Sequence, residues 1–384
     1  MKIFSLPATV WLLGAVSFVN DSAGELVYTV LPLFVATMAG PAVLGLLEGV
    51  AEASGSLFKL FSGVVSDRMG STKGWVLGGY GIAALSRPLL GLAGSWPAIL
   101  ALRFADRLGK GLRTSPRDAL LASSVDASKR GLAFGLHRSM DNAGAVAGPL
   151  AAAFLLSRHM GLREVLLYSA LPGLLVMLFA LFVREPEKTT PKKRSFDWRL
   201  GNFPVEFRRY LLVLALFTLG NSSNMFLLLR AKELGLAEAQ VPLLWALTSL
   251  IAAIFSTPFS ALSDRIGRKT LILAGWGIYG IFYLAIGLNG KVADLWLLFA
   301  FYGLFLAATE GVEKAYVADF APPALLGSAY GWFNMTTGIM LLPASLLFGA
   351  IWQLAGAQAA FAFSSICAVS ASLLLAFRVK PTGT

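Results

Sequence analysis

The sequence predicts an all-α membrane protein of twelve transmembrane helices, arranged as two pseudo-symmetric six-helix bundles. Hydrophobic residues make up 57% of the 384-residue chain, and charged residues make up only 14%. Apolar runs of about 20 residues, the length that a helix needs to cross a bilayer, recur from end to end. Two polar motifs of the first half also return in the second half, which indicates a six-helix repeat.

The twelve spans follow from the apolar runs and from the turn signals between them. We place them at residues 8–37, 42–65, 75–94, 97–125, 131–156, 164–183, 210–231, 241–262, 271–289, 295–318, 328–353 and 357–377. The first apolar run begins near Leu6 and continues to Val35, which is too long for the hydrophobic region of a cleavable signal peptide. We therefore expect it to be the first membrane helix.

The longest polar stretch, from Arg184 to Tyr210, separates six spans from six. We predict an amino-terminal bundle at 1–185, a cytoplasmic linker at 186–209 and a carboxyl-terminal bundle at 210–384. The basic excess of the linker either lies against anionic lipid or belongs to a solvated loop that only obeys the topology.

The net charge of +11 could point to nucleic acid, but its distribution points to a membrane. With the amino terminus inside, the cytoplasmic segments hold 18 Lys and Arg residues and the opposite side holds five. This asymmetry follows the positive-inside rule. We expect a multi-pass protein of the plasma (inner) membrane, with both termini in the cytoplasm, in contact with lipid and not with nucleic acid.

Few residues of this chain suit metal or covalent chemistry. The single cysteine, Cys367, excludes an intrachain disulfide, and the two histidines, His137 and His159, argue against a site for a soft metal. There is no Walker-type nucleotide loop, nucleophile motif or soluble catalytic domain. We expect no metal, no cofactor and no enzymatic activity.

The two halves share polar motifs at a nearly constant offset. "SGVVSDRMGSTKG" from Ser62 returns as "FSALSDRIGRKT" from Phe259, 197 residues later. A second echo around the fourth span of each half lies at an offset of 196 and pairs Ala119, Ala122, Gly131 and Gly135 with Ala315, Ala318, Gly327 and Gly331.

At these motifs the chain resembles the major facilitator superfamily, and the resemblance covers all twelve spans. The loop after the second span matches the signature G-x-x-x-D-R-x-G-x-x-K of that superfamily at Gly63, Asp67, Arg68, Gly70 and Lys73. The resemblance implies two bundles that rock about a site at the midplane. It also implies that Asp67 and Arg68, with Asp264 and Arg265, are cytoplasmic gate residues.

Two further motifs bear on the direction of transport. "GAVAGP", from Gly144 to Pro149, resembles a fifth-helix motif of the exporters of that family, which are mostly antiporters. The fourth-helix motif R-x-x-x-G-x-G-x-G is only partly matched, because Arg107 stands where its first glycine is expected. Ser123 replaces the acid that often ends the fourth helix, with Asp126 three residues later.

The fourth span carries seven charged residues on one face. At 100° per residue, they fall within an arc of about 140°; the seven are Arg103, Asp106, Arg107, Lys110, Arg113, Arg117 and Asp118. A charge at the centre of a bilayer costs about 2.5–3.5 kcal/mol even on lenient scales. This face must therefore meet water or counter-charges.

Two interpretations of these charges stay open. They are either ion pairs that hold helices together or the wall of a path that attracts anions. Seven of the nine acids and eight of the nine bases within the spans belong to the amino-terminal half, which pairing alone does not explain. Arginine also suits carboxylate and phosphate groups because it presents a planar fork of donors.

We assign candidate roles by depth in the bilayer. The candidates for substrate binding are Asn20, Arg103, Arg107, Lys110, Arg138, Asn221 and Asn224. The candidates for gating, besides the signature residues, are Arg113, Arg117, Asp118 and Glu313. We expect Pro116 to interrupt the fourth helix at the inner gate. Aromatic residues either line an amphipathic pocket or pack the bundle: Trp245, Trp276, Tyr279, Tyr302 and Trp332.

A proton carrier must change its charge during the cycle, and a buried carboxylate can do so near neutral pH. The candidates are Asp21, Glu25, Glu48, Glu52 and Asp141. We expect a monomeric, proton-coupled secondary transporter that exports a small anionic or amphipathic organic molecule by alternating access. An importer or phosphate-type exchanger of the same fold is the alternative, and a membrane sensor or embedded enzyme is the alternative of another class.

Overall fold

A computed structural model describes residues 6–69, 73–125, 130–183, 199–320 and 325–379, and within these ranges the chain is all helical. The α-helices are α1 (Ala8–Ala36), α2 (Pro41–Met69), α3 (Lys73–Leu89), α4 (Trp96–Ser123), α5 (Arg130–Ser157), α6 (Leu162–Tyr168), α7 (Ala170–Leu181), α8 (Val205–Gly220), α9 (Met225–Glu233), α10 (Val241–Ile266), α11 (Arg268–Leu288), α12 (Asp294–Phe320), α13 (Leu326–Ala355) and α14 (Ala357–Arg378). The prediction of an all-α fold is confirmed.

Two of the twelve predicted spans are built from two helices each. The sixth span consists of α6 and α7, which meet at Ser169, three residues before Pro172. The seventh consists of α8 and α9, which are separated by residues 221–224. Proline removes a backbone donor, and Asn, Ser and Gly are poor helix formers, so the sequence accounts for both breaks.

The fourth span corrects one prediction. We expected Pro116 to interrupt this helix, but α4 runs unbroken from Trp96 to Ser123 with Pro116 inside it. The missing N–H of Pro116 costs one hydrogen bond, and the residues on either side keep the helical backbone. Packing against neighbouring helices stabilises such prolines within membrane spans, and here Ser115 links α4 to α2 by donating to the carbonyl oxygen of Lys59 at 3.0 Å.

In the described part of the chain, seven helical segments are long and apolar enough to cross a membrane, and all of them begin at or after Leu162. They are Leu162–Leu181, Val205–Glu233, Val241–Ile266, Arg268–Leu288, Asp294–Phe320, Leu326–Ala355 and Ala357–Arg378. The helices before Leu162 carry most of the intramembrane charge, which lowers their mean hydropathy.

The chain divides into two compact units. Unit 1 comprises Met1–Ala39, Val50–Lys193 and Ala237–Ala246. In it, α1 packs against α5 and α7, and α3 packs against α4 and α7. One part of its core is formed by Val16, Val76, Tyr80, Val176 and Ala180, all of which are buried.

Unit 2 comprises Gly40–Gly49, Arg194–Leu236 and Leu247–Thr384. Here α11 packs against α12 and α14, and α13 packs against α8 and α14. Aromatic rings fill the core: Phe217 and Trp276 stack with centroids 4.2 Å apart, and Tyr279 and Tyr283 stack at 4.1 Å. This core holds little charge, in contrast to that of unit 1.

Glycines allow close helix contacts where the charges of unit 1 meet. A Cβ atom on Gly79 of α3 would lie 2.5 Å from the carbonyl oxygen of Gly109 on α4. A Cβ on Gly144 of α5 would lie 2.6 Å from the carbonyl oxygen of Phe18, and one on Gly148 would overlap that of Ser22. The "GAVAGP" motif therefore sets how closely α5 approaches α1.

Candidate functional site

A buried cluster of guanidinium groups lies where α1, α3 and α4 meet in unit 1. Nε of Arg87 on α3 donates to Oδ1 of Asp106 on α4 at 2.8 Å. The same side chain donates through NH1 to the backbone oxygen of Asn20 at 2.9 Å and to its Oδ1 at 3.1 Å. Gly24 makes room for Arg87, because a Cβ atom there would lie 3.2 Å from NH2. Arg87 thus ties three helices together.

Asp106 is the shared acceptor of this cluster and is 2% exposed. Its Oδ2 accepts from NH1 of Arg103 at 3.2 Å and lies 3.9 Å from NH1 of Arg107. Arg103 is 1% exposed, and its guanidinium lies 5.8 Å from the centre of the Tyr28 ring. Arg103 is therefore held in a dry, paired position.

Arg107 has a second acidic partner. Its NH2 lies 2.9 Å from Oε1 of Glu52 on α2, and the Glu52 side chain is 33% exposed. Arg107 therefore connects the dry interior around Asp106 with an accessible carboxylate. We call the set Asn20, Glu52, Arg87, Arg103, Asp106 and Arg107 the arginine cluster.

Lys110 lies on the same face of α4 but is exposed. At 100° per residue, its direction falls in the middle of the arc of buried charges, about 120° or more from the exposed apolar face that holds Phe104. Phe104 is 37% exposed, and Ala101 and Ala119 on that face are exposed too. Lys110 is therefore an exposed residue on the charged face of α4, and its ammonium group interacts electrostatically with Arg107 and Glu52.

A second polar network joins α1, α4 and α5. Ser17 donates its hydroxyl hydrogen to Oδ1 of Asp141, and Nδ1 of His137 lies 3.5 Å from Oδ2 of the same carboxylate. NH1 of Arg117 approaches the Ser17 hydroxyl at 3.4 Å, and its NH2 pairs with Oδ1 of Asp118 at 2.9 Å. We call these five residues the Asp141 network. Sequence reasoning assigned no role to Ser17 or His137.

The remaining candidates of the amino-terminal half lie at the margins of these two groups or on other contacts. The guanidinium of Arg113, predicted for gating, is 4.6 Å from the centre of the Tyr80 ring on α3, and Arg113 is buried. Arg138 is exposed on α5, and Asp21 accepts a hydrogen bond from Asn20 at 2.8 Å. Glu25 accepts from Nε1 of Trp245 at 2.9 Å within unit 1.

Unit 2 contains the candidates Glu48, Asn221 and Asn224. Glu48 is fully buried and accepts from the Ser223 hydroxyl at 3.2 Å. Asn221 is the C-cap of α8, and Asn224 is the N-cap of α9, where its Oδ1 accepts from the hydroxyl of Tyr302. The break in the seventh span therefore presents polar groups between its two helices.

The aromatic candidates of unit 2 lie mostly in its core. Trp276, Tyr279 and Tyr302 are at most 1% exposed, which agrees with the packing interpretation for these three. Glu313 accepts from Nε1 of Trp276 at 2.9 Å. Trp332 is only partly buried.

The gate candidates of the signature loops are described only in part. The side chains of Asp67 and Arg68, and all of Gly70 and Asp126, lie outside the described residues. Asp264 and Arg265 are exposed. The nearby Arg268 has two acidic partners: it pairs with Asp319, and its NH2 lies 3.5 Å from Oδ1 of Asp264.

Sequence reasoning missed Arg268 and Asp319, although the repeat held a signal for both. Asp319 occupies the repeat position of Ser123 at the offset of 196, and Arg268 that of Ser71 at the offset of 197. The acid absent from the end of the fourth span is therefore present at the end of the tenth.

The long apolar helices and their lengths define a multi-pass integral membrane protein. The model of the Major Facilitator Superfamily matches residues 10–229 and 210–384. The chain belongs to that superfamily, as the resemblance in its motifs implied.

Similar proteins agree with this assignment. An uncharacterised MFS-type transporter of Methanocaldococcus jannaschii is 35% identical over 97% of this chain and 95% of that protein. An uncharacterised protein of Mycobacterium bovis is 27% identical over 84% of this chain and 81% of its own length. The multidrug resistance protein MdtH of Salmonella newport is 25% identical over 79% of this chain and 75% of its own length.

Solved structures show the same fold at low identity. The nucleoside transporter NupG superimposes with a TM-score of 0.78 and 14% identity, over 97% of this chain and 100% of that chain. A POT family transporter in complex with 5-aminolevulinic acid gives 0.82 and 14%, over 99% of both chains. A bacterial homologue of the lysosomal transporter Spinster gives 0.73 and 18%, over 96% of this chain and 94% of that chain.

Proposed function

We propose that this superfamily member is a proton-coupled exporter of small anionic or amphipathic organic molecules. The observation that carries the proposal is the ion pair between Arg107 and Glu52, with which the ammonium group of Lys110 interacts electrostatically. Two cationic side chains at the edge of a buried cluster offer an anion several donors in a preformed arrangement. The similarity to MdtH and the "GAVAGP" motif favour export over import.

The rest of the arginine cluster prepares this position. Asp106 takes both Arg87 and Arg103, so these two guanidinium groups have a counter-charge in the dry interior. Arg107 lies further from Asp106, at 3.9 Å, and its close partner is Glu52 at 2.9 Å. Substrate contact therefore falls to Arg107 and Lys110, while Arg103 positions its neighbour from within.

Glu52 provides a mechanism that couples a proton to the anion. When its carboxylate is ionised, it occupies the donors of Arg107. A proton on Glu52 removes that counter-charge, and the guanidinium then accepts an anionic group of the substrate in its place. Deprotonation of Glu52 reverses the step and releases the anion. One proton therefore binds with each anion, and an anion that is concentrated in the cell leaves together with a proton down its own concentration gradient.

We propose for the other candidates the roles that the sequence suggests. These are substrate contact for Asn20, Arg138, Asn221 and Asn224, and proton coupling for Asp21, Glu25, Glu48 and Asp141. Asp67, Arg68, Arg113, Arg117, Asp118, Asp264, Arg265 and Glu313 act in gating. We propose a monomer in the plasma (inner) membrane, with both termini in the cytoplasm.

The test is transport by the purified protein in proteoliposomes with an imposed pH gradient. The probes are radiolabelled carboxylate and phosphate metabolites and anionic fluorescent drugs. We expect Arg107→Gln to slow flux of the transported anion at least about tenfold, which corresponds to about 1.4 kcal/mol. The matched control is Lys291→Gln, which removes an exposed charge from the connection between α11 and α12.

Equal flux of every anion in Arg107→Gln and in the control would refute the charged site. Flux that requires substrate on both sides and ignores the pH gradient would instead assign the protein to the exchangers. A thermal-shift screen of the wild-type protein against metabolite and drug libraries at two pH values supplies the substrates to label.

A further inference from the structure

The Asp141 network lies in unit 1 apart from the arginine cluster, and the proposed exchange at Glu52 leaves most of it unused. Its members come from three helices: Ser17 from α1, Arg117 and Asp118 from α4, and His137 and Asp141 from α5. Both carboxylate oxygens of Asp141 have a neighbour, since Ser17 donates to Oδ1 and His137 Nδ1 lies 3.5 Å from Oδ2.

The imidazole of His137 is placed for one protonation state. Its side chain is 5% exposed, and its Nε2 atom is buried with no hydrogen-bond partner among the described residues. A neutral ring with its proton on Nδ1 donates toward Asp141 and leaves Nε2 as a bare acceptor. A doubly protonated ring would bury an N–H donor without a partner, which is costly. An added proton is therefore better held by the carboxylate of the pair.

The charges around the pair come from α1, α4 and α5. Asp21 of α1, Arg117 and Asp118 of α4, and Arg138 of α5 act on His137 or Asp141 electrostatically. Ser17 links two of these groups directly, because its oxygen lies 3.4 Å from NH1 of Arg117 while its hydrogen points at Asp141. A change in the charge of Asp141 is thus felt at Arg117 through one hydroxyl group.

We infer that Asp141 and His137 form a proton-carrying pair, and that Ser17 relays its state to Arg117. The ionised pair consists of an Asp141 carboxylate and a neutral His137, with a net charge of −1. One proton from water brings the pair to neutrality as a carboxylic acid beside a neutral imidazole, and no other bond changes. The neutral acid no longer orients the Ser17 hydroxyl, so Arg117 exchanges this contact for its partner Asp118 alone. This inference rests on the proposed proton coupling and names a carrier for it.

The test uses the proton alone as the ligand, so it requires no identified substrate. Infrared difference spectra of the purified full chain between acidic and alkaline pH detect the carbonyl band of a protonated carboxylic acid. We expect Asp141→Asn to remove one titrating band and Asp141→Glu to retain it at a displaced frequency. The second variant keeps the test decisive if the first fails to fold.

The neighbouring residues supply matched comparisons. We expect Ser17→Ala and His137→Asn each to move the midpoint of this band by about one pH unit to higher pH, since each removes a donor to the ionised carboxylate. The controls are Ser139→Ala, an exposed hydroxyl on α5, and His159→Asn, the other histidine of the chain, which is also exposed. His159 has a φ of 61°, a conformation that Asn accepts readily.

A band that survives in Asp141→Asn would overturn the pair, as would a His137→Asn midpoint equal to that of His159→Asn. Both results leave the anion site at Arg107 standing. Unchanged anion flux in Arg107→Gln has the opposite consequence, since it ends the proposed substrate site and leaves the pair in place. The two failures are therefore distinguishable.

Discussion

The arginine cluster predicts a large loss of stability when Asp106 loses its charge. Asp106→Asn keeps the volume of the side chain and one acceptor oxygen, but it leaves Arg87, Arg103 and Arg107 around a neutral group. Asp106 is 2% exposed and accepts charge-assisted hydrogen bonds from Arg87 at 2.8 Å and from Arg103 at 3.2 Å. Since water cannot replace the lost charge, Arg87 and Arg103 remain buried beside a neutral group.

The magnitude follows from two independent scales. Hydrogen bonds to charged groups contribute about 1.5–3 kcal/mol each, and two of them are weakened here. Removal of one member of a buried ion pair costs about 3–5 kcal/mol. We therefore expect Asp106→Asn to lower the free energy of unfolding by about 3 kcal/mol or more.

The assay is reversible unfolding of the purified protein in mixed micelles. The control is Asp294→Asn, which neutralises an exposed acid in the first turn of α12. A second variant, Arg87→Met with Asp106→Asn, removes one of the buried positive charges and should recover part of the loss, so the two substitutions will not be additive. Agreement of Asp106→Asn with Asp294→Asn to within about 0.5 kcal/mol would refute the buried cluster.

Two further predictions compare matched sites. Gly148→Ala should lower the free energy of unfolding by about 1–3 kcal/mol, because its Cβ would lie 2.9 Å from Cβ of Glu25 and overlap the carbonyl oxygen of Ser22. The control is Gly135→Ala on the same helix, where the added Cβ meets open space. An equal loss at both glycines would contradict the close contact of α5 with α1. Tyr302→Phe should lower the free energy of unfolding by about 0.5–1.5 kcal/mol because it removes the hydrogen bond to Asn224. The control is Tyr210→Phe, since the hydroxyl of Tyr210 is buried without a partner in the described part of the chain. An equal loss in both variants would contradict the hydrogen bond between Tyr302 and Asn224.

The sequence predicted the face of α4 correctly because that face is a property of one helix. Helical periodicity alone places Arg103, Asp106 and Arg107 on one side and Phe104 on another, and the structure buries the first three while Phe104 is 37% exposed. The partner of Asp106 could not be read in this way. Arg87 lies 19 residues away on α3, and only the packing of α3 against α4 brings the two together.

The breaks in the sixth and seventh spans were within reach of the sequence. "GNSSN", from Gly220 to Asn224, joins five residues that favour caps and turns over helix interiors. We predicted one continuous span at 210–231, because hydropathy identifies spans and does not resolve breaks inside them. Pro116 shows the reverse error, since a helix-breaking residue was given more weight than the helix around it.

The internal repeat is also visible in how segments of the chain are distributed between the two units. Unit 2 contains Gly40–Gly49 from the start of α2, and unit 1 contains Ala237–Ala246 around the start of α10, so the two exchanged segments are related by the same offset of 197 as the signature loops. Glu48 and Trp245 occupy equivalent positions in these segments. Each makes a polar contact with the first span of the half to which its unit otherwise belongs: Glu48 with Ser223 at 3.2 Å, and Trp245 with Glu25 at 2.9 Å.

The carboxylate belongs to a different partner in each of these two contacts. The exchanged segment supplies the carboxylate in unit 2 and the donor in unit 1. A comparison of the halves by residue identity cannot detect this relation, because Glu and Trp do not match. A hydrogen bond, however, requires only that one partner donates and the other accepts. Equivalent positions can therefore keep a hydrogen bond while donor and acceptor are exchanged between them. Candidate pairs in a repeat are best sought by position first and by residue type second.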